Sequence, residues 1–188
     1  MGYAESKMIA VEEIPVIDFS GFLKGKEKDS YFVAQQIREA AEGVGFFYIR
    51  NHGISEDVIN RAYQAAKSFF SQPSSFKQNL KINASHHGFL SVGEARMEES
   101  EKIDLKESFV WGLDLPDEHP SVTSENPFLG RNQWPDDKPE FREAVYPFFL
   151  HGINCGRLLM QAFAMSMGID SDAFVQNVRE PIARSSII

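Results

Sequence analysis

The sequence predicts a mixed α and β fold rich in helix, and three observations carry that reading. Apolar residues recur at helical spacing over about 31–44, 55–70 and 139–167. Short runs of aromatic and β-branched residues, bounded by Gly, Pro, Asn or Ser, fall around them and read as strands. Hydrophobic residues make up 43% and charged residues 24% of 188, the balance of a globular chain with a core of its own.

Taken in order, "IPVIDFS" (14–20) reads as a short strand running into a turn. From Tyr31 to Val44, the residues Val33, Ile37, Ala40, Ala41 and Val44 share one face of a helix that Gly43 and Gly45 stop. "FFYIR" (46–50) is the next strand, and Asn51-His52-Gly53 closes it. Ser55 is a good N-cap, with Glu56 and Asp57 suited to the positive end of the helix that follows. Val58, Ala62, Ala65 and Phe69 form its apolar face, flanked by Ile59, Ala66 and Phe70, and the helix ends before Pro73.

Beyond Lys81 the periodicity weakens. "GFLSVG" (88–93) and "ESFVWGLDL" (107–115) read as strands, with a charged loop over 94–106 between them. Residues 116–139 hold five of the nine prolines and read as a long surface loop. A helical pattern then runs from about Pro139 to Met167 through Phe141, Val145, Phe148, Cys155, Leu159, Ala162 and Phe163. Pro147 inside it predicts a kink, and Gly168 is a natural C-terminal cap. "DAFVQNV" suggests a further short helix, and "ARSSII" reads as an apolar strand whose partners must precede residue 116. The chain reads as interrupted there.

Charge and composition exclude several classes. A net charge of −8 argues against a nucleic-acid or anionic-membrane surface, both of which need a basic stripe. No run of 18 apolar residues marks a membrane span, and the N-terminus lacks a signal-peptide apolar region. The single cysteine, Cys155, allows no internal disulfide, suits a reducing compartment and lies in an apolar helical pattern. A cytoplasmic location is the expectation.

The five histidines are the candidates for chemistry. A mononuclear iron triad needs two histidines and a carboxylate, commonly as His-x-Asp/Glu with a distant His. Two positions after His52, His86, His87, His119 and His151 stand Ile54, Gly88, Phe89, Ser121 and Ile153, none acidic. Adjacent His86 and His87 point to opposite faces of a strand and read as a solvated pair entering a turn. His119 lies in the loop and His151 on the long helix without an acidic or second His neighbour one turn on. No P-loop, HExxH, GxGxxG or Gly-x-Ser-x-Gly occurs, so no metal ligand and no catalytic residue is assigned.

In sequence, "IPVIDFS", "AAEGVGFFYIRNHGIS", "AKSFFSQPSSFKQNL", "GFLSVGE", "DLKESFVWGLDLP", "NQWP" and "MGID" form a distinctive series. It resembles the N-terminal half of the iron(II)- and 2-oxoglutarate-dependent oxygenases related to isopenicillin N synthase. The resemblance implies the helix-rich N-terminal portion of a double-stranded β-helix, a distorted jelly roll, truncated before most of that roll. It implies one region over 1–188: a non-haem dioxygenase N-terminal domain at about 14–135, then the long helix leading toward the catalytic roll at about 136–188. His52 then belongs to a turn before a helix and is not a ligand.

The parent activity it implies is oxidation of a small organic substrate by a non-haem dioxygenase using Fe(II) and 2-oxoglutarate. The family's His-x-Asp, distant His and Arg-x-Ser follow the strand that resembles "ARSSII", so no position here matches them. The expectation is an inactive chain that binds neither cofactor tightly by itself. The segments at 88–96 and 107–111 resemble substrate-side segments of relatives and make Glu94, Arg96, Phe109 and Trp111 candidate substrate neighbours. Against this, Phe109 and Trp111 alternate along a strand, a pattern that also reads simply as core. Exposed helix faces and strand edges predict self-association. The other functional class is a non-catalytic binding or regulatory module derived from the same family.

Overall fold

In the computed structural model, which describes residues 10–94, 103–123, 126, 128–176, 178 and 180–188, Val16–Asp18 forms strand β1 and pairs in parallel with β2, Tyr48–Arg50. Between them lie α1 (Ser20–Leu23) and α2 (Glu27–Gly43). The link between the strands is thus helical, as parallel pairing requires. Helix α2 begins ahead of Tyr31, where the apolar pattern starts, because Lys26 is still extended and Glu27 and Asp29 supply a polar first turn. Its buried stripe is Ser30, Val33, Ala34, Ile37 and Ala40, whereas Ala41 in the last turn is exposed.

These elements belong to the first of two units, which comprises the chain up to Ile54 together with Asn154–Arg179. Its core is Ile17, Phe19, Phe22, Val33, Ile37, Ala40 and Ala162. Fully burying a side chain such as Ile37 stabilises by about 1.5–3 kcal/mol. The last residues of α6 (Pro139–Ser166) end in a Schellman motif: Ile169 N–H donates to Ala164 C=O at 3.2 Å and Gly168 N–H to Met165 C=O at 3.0 Å. Gly168 sits at φ +71, as that cap needs. Among the described residues of "DAFVQNV" the expected short helix does not form; residues 171–176 are turns, opened by Asp172 N–H donating to Asp170 Oδ1 at 2.7 Å.

The second unit comprises Ser55–Ile153 and Glu180–Ile188. Ser55 Oγ accepts from Val58 N–H at 3.3 Å and starts α3, Glu56–Phe70. After Pro73 comes α4, Ser74–Gln78, which periodicity alone does not show because it is barely one turn long. Three strands follow: β3 (Gly88–Leu90), β4 (Ser108–Gly112) and β5 (Arg184–Ile187), antiparallel in that spatial order. β5 therefore finds its partner before residue 116, with Phe109 opposite Ile187 and Trp111 opposite Ser185. Most of the charged segment expected at 94–106 lies outside the described residues.

One further expectation needs correction here. The segment 116–139 is not wholly a surface loop, since it contains α5 (Pro120–Thr123) and buries Leu129 and Pro135. Helix α6 runs through Pro147, which has no N–H to donate to the carbonyl of Glu143 one turn back. Among the described residues the short strands form a two-stranded and a three-stranded sheet and close no barrel. The result is the helix-rich, mixed α and β portion of a jelly roll.

Candidate functional site

β4 carries the side chains that matter most, because its alternation sends Phe109 and Trp111 into the core of the second unit. Both are buried, at 0% and 1% exposure. The Phe109 ring lies 4.9 Å from Phe69, 5.3 Å from Phe141 and 6.0 Å from Trp134, between centroids. Trp111 lies 6.2 Å from Phe109 and also lines a cleft of about 470 Å³ with Ile59, Tyr63, Lys67, Phe148 and Ser186. Its indole N–H is buried and makes no hydrogen bond among the described residues.

Glu94 follows shortly after the end of β3. Lys81 Nζ pairs with its Oε1 at 2.7 Å and Ser91 N–H donates to Oε2 at 2.7 Å. The lysine first and the backbone N–H second hold its carboxyl below the ordinary value. Arg96 lies outside the described residues. The structure therefore brings Phe109 and Trp111 into one core and ties Glu94 to Lys81 and Ser91.

Three polar features of this unit carry no clear sequence signal. Lys77 is buried at 6% exposure; its Nζ donates to Glu107 Oε1 and Oε2 at 2.9 and 2.7 Å and to the Phe70 carbonyl at 3.2 Å. This pair joins α4 to the start of β4. Past the other end of β4, Asp114 accepts Trp134 Nε1–H at 2.9 Å and Arg142 Nε–H at 2.9 Å, while its own N–H donates to Tyr146 Oη at 3.0 Å. Burial pushes the Tyr146 phenol up. With its oxygens taken by donors, Asp114 is a structural anchor rather than a base or ligand.

The third feature is His87, which is fully buried. The solvated His86-His87 pair expected from the sequence is therefore half right: His86 is exposed and stacks on Phe128 at 6.2 Å, but His87 is interior. A left-handed His86, φ +59, turns the chain sharply enough to separate the two rings.

The remaining histidines are equally dispersed. His52 occupies a turn after β2 in which Asn51 has φ +56, and its Nδ1 accepts from Ile54 N–H at 3.2 Å. Asn51 Nδ2 donates to Asp18 Oδ2 at 2.9 Å, fastening that turn to the end of β1. His119 Nε2 lies 3.2 Å from Glu180, and His151 is exposed on α6. Among the described residues no three His, Cys, Asp or Glu side chains converge to hold a metal ion. The described residues do not fit an iron facial triad.

Comparison with known proteins assigns the fold to a family. The family model described as non-haem dioxygenase in morphine synthesis N-terminal matches residues 14–137. The chain belongs to this family. A 2-oxoglutarate-dependent dioxygenase of Didymella fabae is 32% identical to this non-haem dioxygenase N-terminal chain over 168 residues, covering 86% of it and 51% of the relative. Isopenicillin N synthase of Streptomyces jumonjinensis is 29% identical over 182 residues, covering 93% and 54%. The crystal structure of a full-length Neurospora crassa protein in complex with alpha-KG matches with a TM-score of 0.69 at 28% identity, covering 86% of this chain and 49% of that one. The chain spans about half the length of the curated relatives it matches. It is thus an N-terminal region of the isopenicillin N synthase-like oxygenase superfamily. No helix among the described residues is long and apolar enough to cross a membrane.

Proposed function

We propose that this chain is the N-terminal portion of a non-haem Fe(II)- and 2-oxoglutarate-dependent dioxygenase that oxidises a small organic substrate, and that alone it is inactive. The observation that carries the reading is the family match over 14–137 in a chain spanning about half of its relatives. The dispersal of all five histidines, none followed two positions later by an acid, supports the inactivity. In the parent, Fe(II) and 2-oxoglutarate would supply the oxidising chemistry. Within this reading about 14–135 would serve as the buttressing domain and about 136–188 as the lead into the catalytic roll.

Glu94, Arg96, Phe109 and Trp111 are the substrate-side candidates within this reading. Trp111 has the best support, since it lines an apolar cleft of about 470 Å³, within the range of small-molecule sites. Phe109 would act from behind it by packing, and Glu94 from the segment after β3. The expected setting is the cytoplasm, without nucleic-acid or membrane partners.

Self-association belongs to the same proposal. β5 is the last strand of its sheet among the described residues, and Leu105 and Ile182 are exposed at 84% and 57%. In light scattering the chain should run larger than its 21.3 kDa monomer; a monodisperse monomer with a sharp melt would contradict this. The activity itself is tested by incubation with Fe(II), 2-oxoglutarate, ascorbate and O2. No succinate above the buffer control is expected, and succinate formation would overturn the inactivity.

A further inference from the structure

We propose that His87 makes the second unit acid-sensitive: charging this buried ring loosens the turn at 83–88 and, with it, the start of β3. The ring has 0% exposure, and among the described residues neither Nδ1 nor Nε2 makes a hydrogen bond of ordinary geometry. It fits only because glycine stands beside it. A Cβ on Gly112 would lie 2.9 Å from His87 Nε2, and one on Gly130 would lie 2.1 Å from Ser85 Oγ in the same turn. The ring is thus packed directly against the backbone of β4, and at 0% exposure a charged imidazole there has no contact with bulk water.

The backbone around the ring is held by neutral bonds. Asn83 Oδ1 accepts from His87 N–H at 3.1 Å and from Ser85 N–H at 3.0 Å, while Asn83 N–H donates to the His87 carbonyl at 2.8 Å. Asn83 Nδ2 donates to the Arg131 carbonyl at 2.9 Å, joining the turn to the segment at 130–132. One residue on, Gly88 has φ +123 and begins β3. A Cβ there would lie 2.6 Å from the Leu80 carbonyl, so the start of the strand packs closely against the backbone at 80–82.

The charged groups facing the ring do not compensate its burial. Arg184 on β5 opposes a second positive charge, whereas Asp114 beyond β4 and the carbonyls of Gly130 and Arg131 favour it. Asp114 is already engaged by Arg142 and Trp134, and the Arg131 guanidinium is paired with Asp117. Burial is the largest influence and holds the imidazole below its ordinary value of 6.5. A histidine depressed in the folded state is neutral in both states well above 6.5 and costs no stability there. As pH falls through 6.5 the unfolded chain takes up the proton first, so stability is lost down to the folded-state value.

Two measurements on the whole chain decide this. In an NMR titration of the native protein, the His87 ring should remain neutral as pH falls below 6.5; a ring that titrates at or above 6.5 in the folded protein overturns the proposal. Equilibrium unfolding of wild type and His87→Met is then followed as pH is lowered. The folding constant of wild type should fall relative to the variant by up to about tenfold per pH unit in this window. Superimposable pH profiles overturn the proposal. If His87→Met does not fold, the titration of the wild-type ring alone decides.

Discussion

In the first unit five of the seven core residues are aliphatic, with Phe19 and Phe22 stacked at 5.1 Å as the aromatic exception. In the main buried cluster of the second unit six of the seven are aromatic, and only Val145 in it is aliphatic. Small aliphatic side chains on one helix face can be buried by local periodicity. Rings must be brought edge to face from α3, β3, β4 and α6, and each then depends on several partners. The aromatic core also carries buried polar atoms: the Trp111 indole N–H, the His87 ring and the Lys77 ammonium. The second unit thus concentrates both the larger packing energies and the larger penalties.

The largest test of this contrast is Phe69→Ala. Phe69 is 3% exposed and stacks on Phe141 at 4.8 Å, so its removal should destabilise the second unit by about 3–5 kcal/mol. In the aliphatic core Ile37→Val should cost only about 0.5–1.5 kcal/mol. Urea unfolding measures both, and a Phe69→Ala cost no greater than that of Ile37→Val would break the comparison.

Ion pairs give the next effect. Glu107→Ala strands the buried Lys77 ammonium and should cost roughly 3 kcal/mol, near the lower end for a buried pair because Glu107 itself is 32% exposed. Arg38→Ala removes the exposed pair with Glu42 in the first unit and should cost about 0.3–0.5 kcal/mol. Equal losses in denaturant unfolding would show that burial does not set the difference. Between these two falls the N-cap of α3, where Ser55→Ala should cost about 1 kcal/mol in the same assay.

Acid separates the units as well. The Asn51 amide first, with the Ser20 N–H second, lowers the Asp18 carboxyl to about 2. The stability this gives is present above 3.8 and is lost as pH falls toward 2, so the first unit should weaken only there. Asp18→Ala should flatten that part of the pH profile. A loss attributable to Asp18 that begins near neutrality would contradict the assignment.

Much of this fold is legible in the sequence where periodicity or punctuation is strong. Ser55 caps α3, Gly168 ends α6, and β5 pairs with a strand before residue 116, as their patterns imply. The helix at 74–78 and the polar first turn of α2 are invisible to apolar spacing. His87 is misread because adjacent histidines in a polar turn signal solvent, whereas Gly112 and Gly130, distant in sequence, make room for one of them and its turn. Lys77–Glu107 and the Asp114 anchor depend on partners 18 to 32 residues apart, which no local pattern encodes. Of the substrate-side candidates, the alternation of Phe109 and Trp111 reports burial in a strand and does not distinguish core from pocket wall.

On the function proposed above, the metal ligands lie outside residues 1–188. The most direct measurement is to read the chain's transcript beyond the codon for Ile188. A continuing strand followed by His-x-Asp, a distant His and Arg-x-Ser is expected. A stop codon directly after Ile188 in a well-expressed transcript would contradict it and leave the non-catalytic binding module in its place.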